Sequence, residues 1–366
     1  MADGSSRKTF TIAVVGPYGT PTTGSFLRSS NIWHVIKGLK GVRVIYLPIT
    51  YPVEVLANLR LITSSDLIIV SGVSPWISAI IVFFSILFKK HVIIDVHGSP
   101  FYEHLMAGRV SIFRKMLFFV TEHLTYRLSS SIILASKGLL SIISAYLKVR
   151  VNDKRIYIVP NSLNYLFIKI INKLLSIDKR TLRNYIMRKL KLDEDSKVIL
   201  VPLPNVFISN ILAYELLRKI VNEINSMGNI KVIVTGIVKS ESISKGVITT
   251  GYLPYPEYAA LLLNSSAELL PYPENAVSGG VRNKVLEAGY CGVPIISTRS
   301  GVLHSNARAW IHYIPLEDTS IKDLLNVIND VGLYVSSNMR SLVINEYSLN
   351  SFAREILKVL KQELSQ

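Results

Sequence analysis

The chain has 366 residues, 49% of them apolar and 18% charged, with 41 Lys and Arg against 25 Asp and Glu for a net charge of +16. At roughly 100–200 residues per domain this length predicts two domains, and the composition excludes a disordered or low-complexity chain. One cysteine, Cys291, excludes a disulfide framework and a Cys-based zinc cluster and fits a reducing cytoplasm, and the polar start MADGSSRKTF carries no signal-peptide pattern.

Short β-branched runs alternate with helical segments along the whole chain, which predicts an α/β class with parallel sheets covered by helices. Strands are expected at Phe10–Gly16, Arg43–Leu47, Asp66–Ser71, Val92–His97, Ser131–Ala135 and Arg155–Val159. After the first strand a glycine-rich loop, Gly16–Ser25, leads to a helix expected to begin near Ser30. Trp76–Phe88 is a nearly unbroken apolar run. It falls short of the about 20 residues that span a bilayer and reads as a helix buried between layers. Residues 164–191 combine helical periodicity with many cations, as a helical linker would. A second strand series follows at Lys197–Leu203, Ile230–Gly236, Val247–Thr249, Ala267–Leu270 and Pro294–Ser297, with helices at Tyr255–Asn264 and Arg282–Tyr290. Two successive doubly wound units result.

The cations are unevenly placed. Residues 1–165 hold 18 basic and 7 acidic side chains (+11), residues 166–191 hold 8 and 1 (+7), and residues 192–366 hold 15 and 17 (−2). The excess is either a solvated lysine-rich surface or a face that meets anionic lipid or phosphate. Phe101–Arg127 suits the second reading. There Leu105, Met106, Ile112, Phe113, Met116, Leu117, Phe118 and Phe119 interleave with Arg109, Arg114 and Lys115. No nucleic-acid-binding motif accompanies the charge, so nucleic acid is not an expected partner.

Three stretches carry candidate chemistry. The loop GPYGTPTTGS, Gly16–Ser25, could bring backbone N–H groups to phosphate or sugar oxygens, but it matches neither the dinucleotide pattern GxGxxG nor the P-loop. His97, followed by Gly98, Ser99 and Pro100, closes the fourth strand and so stands at the carboxyl edge of a parallel sheet, where ligands of open α/β sheets bind. The other six histidines read as structural. The most informative stretch is GGVRNKVLEAG, residues 279–289, with two glycines and two cations, Arg282 and Lys284, at a helix start and Glu287 farther in. Such a helix start binds an anion through its free N–H groups, and the carboxylate can accept two hydrogen bonds from a ribose diol. A D-x-D triplet, Asp193-Glu194-Asp195, precedes a strand in a charged turn, whereas a metal motif should follow one. No metal site or cofactor is expected.

The segment VLEAGYCGVPIIS resembles the retaining GT-B glycosyltransferases of family 4, also called glycosyl transferases group 1, in which a glycine-rich loop precedes a helix carrying LEA and then G-x-P-V-I. Other landmarks fall in the family's order: the loop Gly16–Ser25, DVHGSP at Asp95–Pro100, SSSIILAS at Ser129–Ser136, IVPNS at Ile158–Ser162, Thr235-Gly236 and GYLPYPEYAALL at Gly251–Leu262. The resemblance implies two Rossmann-like doubly wound domains facing a cleft: residues 1–164 for the acceptor and 192–346 for the nucleotide sugar, joined by the basic linker 165–191. The C-terminal helix, 347–366, is expected to pack back on the first domain. It also implies that Glu287 binds the nucleotide ribose, that Gly279 and Gly280 approach the donor sugar and diphosphate, that Gly24 is the first-domain loop glycine, and that His97 reaches the donor sugar.

Two departures stand out. The family carries a second glutamate eight positions before the ribose glutamate, and here that position is Gly279. It also places an Arg and a Lys after the first strand of the second domain, and Pro202–Leu217 contains neither. Arg282 and Lys284 are the expected replacements for that lost charge. The expected activity is retaining, metal-independent transfer of a hexosyl group from a nucleoside diphosphate sugar to a lipid-linked or polysaccharide acceptor, on the cytoplasmic side and peripheral to an anionic membrane. The alternative is a catalytically silent GT-B relative that binds a nucleotide, glycan or partner enzyme.

Overall fold

The computed structural model describes residues 9–19, 24–108, 110–148, 155–193, 195–204, 207–225, 230–236 and 247–365. Two compact units emerge: the first takes residues up to Tyr102, Val110–Asn161 and the chain from Leu349, and the second takes Glu103–Arg109 and Ser162–Ser348.

In chain order the first unit runs β1 (Phe10–Gly16), α1 (Gly24–Lys37), β2 (Val42–Pro48), α2 (Pro52–Ala57), α3 (Leu59–Ser64), β3 (Leu67–Ser71), α4 (Pro75–Leu87) and β4 (His91–Val96). After α5 (Pro100–Ala107), which leads into the short segment of the second unit, come α6 (Ile112–Leu128), β5 (Ser131–Leu134), α7 (Lys137–Ala145) and β6 (Arg155–Ile158). The six strands form one parallel sheet in the order β2-β1-β3-β4-β5-β6. Alternate residues of each strand feed opposite layers. Val15, Val70 and Ile94 join Ile77 and Ile81 of α4 on one face, while Ile12, Val14, Ile69 and Ile93 join Ile32 and Ile36 of α1 on the other. Each such side chain gains about 1.5–3 kcal/mol on full burial.

The second unit contains α8 (Tyr165–Leu174), α9 (Lys179–Lys189), β7 (Lys197–Pro202), α10 (Ile208–Asn225), β8 (Ile230–Thr235), β9 (Val247–Gly251), α11 (Tyr255–Leu263), β10 (Ala267–Leu270), α12 (Asn283–Cys291), β11 (Ile295–Ser297), β12 (Ile314–Pro315) and α13 (Leu324–Glu346). Its parallel sheet has the order β12-β11-β10-β7-β8-β9. Residues 165–191, expected as a linker, are the helices α8 and α9, which pack on α11 within this unit. A last helix, α14 (Leu349–Leu364), returns to the first unit, where Phe352, Ile356, Val359 and Leu360 complete the layer over β1 and β3.

Both sheets have the doubly wound topology expected from the alternation of elements. In the first, strand order reverses between β1 and β3; in the second, between β7 and β10. Ligands of open parallel sheets bind outside the carboxyl ends of the strands at such a reversal. Two glycines let backbone come close there. Gly72, just past β3, has φ +74°, and a Cβ on it would lie 2.8 Å from the Ser25 carbonyl oxygen. Gly236, just past β8, has φ +88°, and its Cβ would lie 2.7 Å from Pro204 Cα. Only a residue without a side chain fits either position without strain.

Three expectations are corrected. α1 begins at Gly24 rather than near Ser30, because Leu27 and Arg28 are already buried in its first turns. β12 escapes sequence reading because it is two residues long. Trp76–Phe88 is not buried between layers. α4 buries Ile77, Ile81 and Val82 along one side, while Phe83, Ile86, Leu87 and Phe88 are exposed on the other.

Candidate functional site

In the first unit the reversal gathers Gly24, Ser25, His97 and a buried ion pair. Gly24 opens α1, the helix that follows β1. His97 Nε2 lies 3.0 Å from Ser25 Oγ on the same helix, and Nδ1 is buried with no hydrogen-bond partner. Burial pushes the imidazole pKa down to about 4, Asp95 opposing the shift and Arg28 adding to it, so His97 is neutral at pH 7. A neutral imidazole can offer an N–H or a lone pair to a sugar hydroxyl.

Beneath His97, Arg28 grips Asp95 with a fork. Nε lies 3.0 and 2.8 Å from the two carboxylate oxygens, and Nη2 donates to Oδ1 at 2.7 Å. Nη2 also donates to the Val159 carbonyl and Nη1 to Asn161 Oδ1, both at 2.9 Å, while Ser71 Oγ donates to Asp95 Oδ2 at 2.6 Å. The network ties α1 to the ends of β3, β4 and β6. Behind the turn that follows His97, buried Glu122 accepts from Ser99 Oγ and from the Phe101 amide, each at 2.6 Å. Burial raises its pKa to about 7, against these hydrogen bonds and that of Tyr126. Sequence reading passed over Arg28, Ser71, Asn161 and Glu122. DVHGSP contains Asp95, but nothing in the sequence names a partner 67 residues away.

In the second unit the loop after β10 and the start of α12 carry the remaining candidates. Gly279 and Gly280 are buried. Ser278 Oγ donates to the Gly280 carbonyl at 2.8 Å, and the Ser278 carbonyl lies 2.9 Å from His304 Nε2, so the bend is braced from both sides. Arg282 is the N-cap of α12. Its guanidinium carbon lies 3.7 Å from the centre of the Tyr272 ring, and Nη2 donates to the Ala276 carbonyl at 2.6 Å. Nε is buried without a partner, and burial lowers the guanidinium pKa. Lys284 Nζ donates to Tyr272 Oη at 2.6 Å and to Asn210 Oδ1 at 3.1 Å. Asn210 is in the first turn of α10, the helix that follows β7. The lysine therefore carries an ammonium across the reversal to the very helix start where the sequence has no cation.

Glu287 sits differently from the simplest expectation. It is 6% exposed, and both carboxylate oxygens are occupied, Oε1 by the Tyr255 hydroxyl at 2.5 Å and Oε2 by the Tyr258 hydroxyl at 3.1 Å. Burial raises its pKa to about 7, opposed by the two tyrosine hydrogen bonds and by Lys284. A ribose diol would have to use the remaining lone pairs or displace a tyrosine. Next to it Glu268, on β10, is wholly buried and neither of its oxygens has a hydrogen-bond partner. Burial and the Glu287 charge drive its pKa up, which favours the neutral acid. The sequence signalled neither arrangement, although Tyr255 and Tyr258, three apart at a helix start, could have marked a shared face.

The raised Glu287 pKa has a consequence for stability. An unfolded glutamate titrates near 4.5, so the folded state binds the extra proton between there and about 7, and Glu287 costs stability as pH rises through that window. The difference is roughly 3 kcal/mol. Glu287→Gln, which keeps the shape and cannot ionise, is expected to gain stability relative to the parent at pH 8 but not at pH 4.5. Denaturant midpoints at the two pH values read this directly, and an equal difference at both would contradict it.

No protein-family model and no curated protein sequence matches the chain. Solved structures do. Sucrose-phosphate synthase from Thermosynechococcus elongatus superposes with a TM-score of 0.70 at 12% identity over 97% of this chain and 99% of that one. HepE from Anabaena in complex with UDP-glucose gives 0.68 at 12% identity over 96% and 99%. WaaG, a glycosyltransferase of lipopolysaccharide biosynthesis, gives 0.60 at 13% identity over 96% and 99%. At these identities the likeness is one of fold, and the two parallel six-stranded sheets with their flanking helices are the α/β architecture of GT-B glycosyltransferases.

Proposed function

We propose that this chain is a retaining, metal-independent glycosyltransferase that moves a hexosyl group from a nucleoside diphosphate sugar to a lipid-linked or polysaccharide acceptor. The observation that carries the reading is Lys284 held between Tyr272 and Asn210, beside the half-buried Arg282 guanidinium and the α12 N-terminus. Two fixed cations and a helix start at the reversal of a parallel sheet form a ready place for a diphosphate. As the glycosidic bond loosens, negative charge grows on the leaving diphosphate, and donors already oriented toward it lower the barrier without reorganising. The chain's own cations supply that charge in this reading. Gly279 and Gly280 bring backbone to the donor, Glu287 anchors the ribose, and Gly24 and neutral His97 serve the sugar. With no side-chain nucleophile assigned, retention follows from attack on the face that the diphosphate leaves. UDP-glucose bound to the similarly folded HepE makes UDP sugars the first donors to try. The protein is placed at the cytoplasmic side of a membrane, peripherally.

A second reading, a silent GT-B relative that binds a nucleotide, glycan or partner enzyme, draws on two observations. Gly279 stands where the resemblance calls for a glutamate, and Tyr255 and Tyr258 already occupy Glu287. Purified full-length chain assayed with UDP-, GDP- and ADP-sugars, with and without lipid acceptors, separates the two. Donor hydrolysis or transfer is expected; donor binding with no turnover of any donor favours the silent relative.

A further inference from the structure

The first unit leaves one face apolar and uncovered. Along α6 the stripe Phe113, Met116, Leu117, Val120 and Leu124 is exposed, Phe113 by 76%. α4 packs beside it and exposes Phe83 (60%), Ile86 and Leu87, and α2 packs against α4 and exposes Val53 and Leu56. Between α2 and α4 runs a groove of about 470 Å³ lined by Pro52, Leu56, Ala79, Ile80, Phe83 and Phe84. None of these side chains is polar, so the groove's natural content is hydrocarbon.

Cations frame this face. Lys89 and Lys90 follow α4, Arg114 and Lys115 lie in the first turn of α6, and Arg127 lies in its last. The acids of the same helices do not offset them. Glu122 is buried against Ser99 and the Phe101 amide, and Glu54 accepts from the Thr50 and Tyr51 amides at the head of α2. α4 has no acid at all. Among the described residues no helix is long and apolar enough to cross a membrane. A helix with an exposed apolar stripe and flanking cations lies in the plane of a bilayer interface, its apolar side in the acyl boundary and its cations at phosphate level. A second copy of the same face would set cation against cation, which disfavours self-association.

We propose that the α2–α4–α6 face seats in the headgroup region of an anionic bilayer, with the α2–α4 groove open to acyl chain. This deepens the peripheral placement given above and rests on it, but it stands or falls on lipid binding alone. Full-length protein is floated with phosphatidylcholine vesicles with and without phosphatidylglycerol, at low and high salt. Binding is expected to require phosphatidylglycerol and to fall with salt. Phe83→Asp with Phe113→Asp should reduce it about tenfold or more, as should Lys89→Glu with Arg114→Glu. All four positions are on the surface, so unchanged melting temperatures and donor hydrolysis verify that the variants are folded. Failure of the parent to float, equal binding to neutral lipid, or a lipid-free dimer that Phe113→Asp dissociates would each overturn the proposal. Flotation without turnover would sink the transferase reading and leave this surface standing; turnover without flotation would do the reverse.

Discussion

Arg28→Met is expected to destabilise the first unit by about 3–5 kcal/mol, because it strands a buried carboxylate. Asp95 and Arg28 are each 4% exposed. Without the guanidinium fork, Asp95 keeps only the Ser71 hydroxyl, while Asn161 and the Val159 carbonyl also lose a donor. The pair as a whole need not be worth that much. Taking two charges out of water costs nearly what their attraction returns, so Arg28→Met with Asp95→Leu should recover a large part of the loss. Thermal or denaturant unfolding of both variants tests this, and a single variant within 1 kcal/mol of the parent would mean that water reaches Asp95. Loss of the fork should also loosen α1 from the end of β4, and so separate Ser25 from His97.

Lys284→Met should weaken nucleoside diphosphate binding by about a hundred- to a thousandfold while the second unit stays folded. A charge pair at 4 Å in a medium of effective dielectric near 20 is worth roughly 4 kcal/mol before desolvation, and each 1.4 kcal/mol is about tenfold in affinity. The lysine is only part-buried and its hydrogen-bond partners, Tyr272 and Asn210, are neutral; the buried carboxyls that feel its charge, Glu287 and Glu268, already have raised pKa values and answer its loss by shifting further toward the neutral acid. Calorimetric titration of UDP into parent and variant, with melting curves as the folding control, gives the ratio. A change of less than threefold would remove Lys284 from the donor site. Asn210→Ala should give a smaller loss, since it removes an orienting contact and leaves the ammonium.

What the sequence reveals and what it hides divide along physical lines. Strands buried on both faces read as short apolar, mostly β-branched runs, and eleven of the twelve strands among the described residues overlap a strand expected from the sequence. The helix carrying Glu287 is legible because glycines, cations and an apolar stripe crowd into one short segment. Side-chain pairing across the fold leaves no local trace. Arg28 finds Asp95 67 residues on, and Lys284 finds Asn210 74 residues back, only because the strand order brings them together. α4 misleads for a related reason. An apolar run with hydrophobic residues on every side has no period to show which face the core will take, and only the packed structure leaves Phe83 uncovered.

The return of α14 to the first unit has a bearing on how the polypeptide matures. Phe352, Ile356, Val359 and Leu360 close the layer formed by Ile12, Val14, Ile32 and Ile36, and Glu363 accepts from the Tyr157 hydroxyl at 2.6 Å and pairs with His91. During synthesis that layer stays open until everything from β7 to α13 has left the ribosome. Domains usually fold as they emerge, amino-terminal first. Here the later-made half can finish before the earlier-made one, whose greasy underside must wait for its lid and is a natural client for a chaperone in the interval.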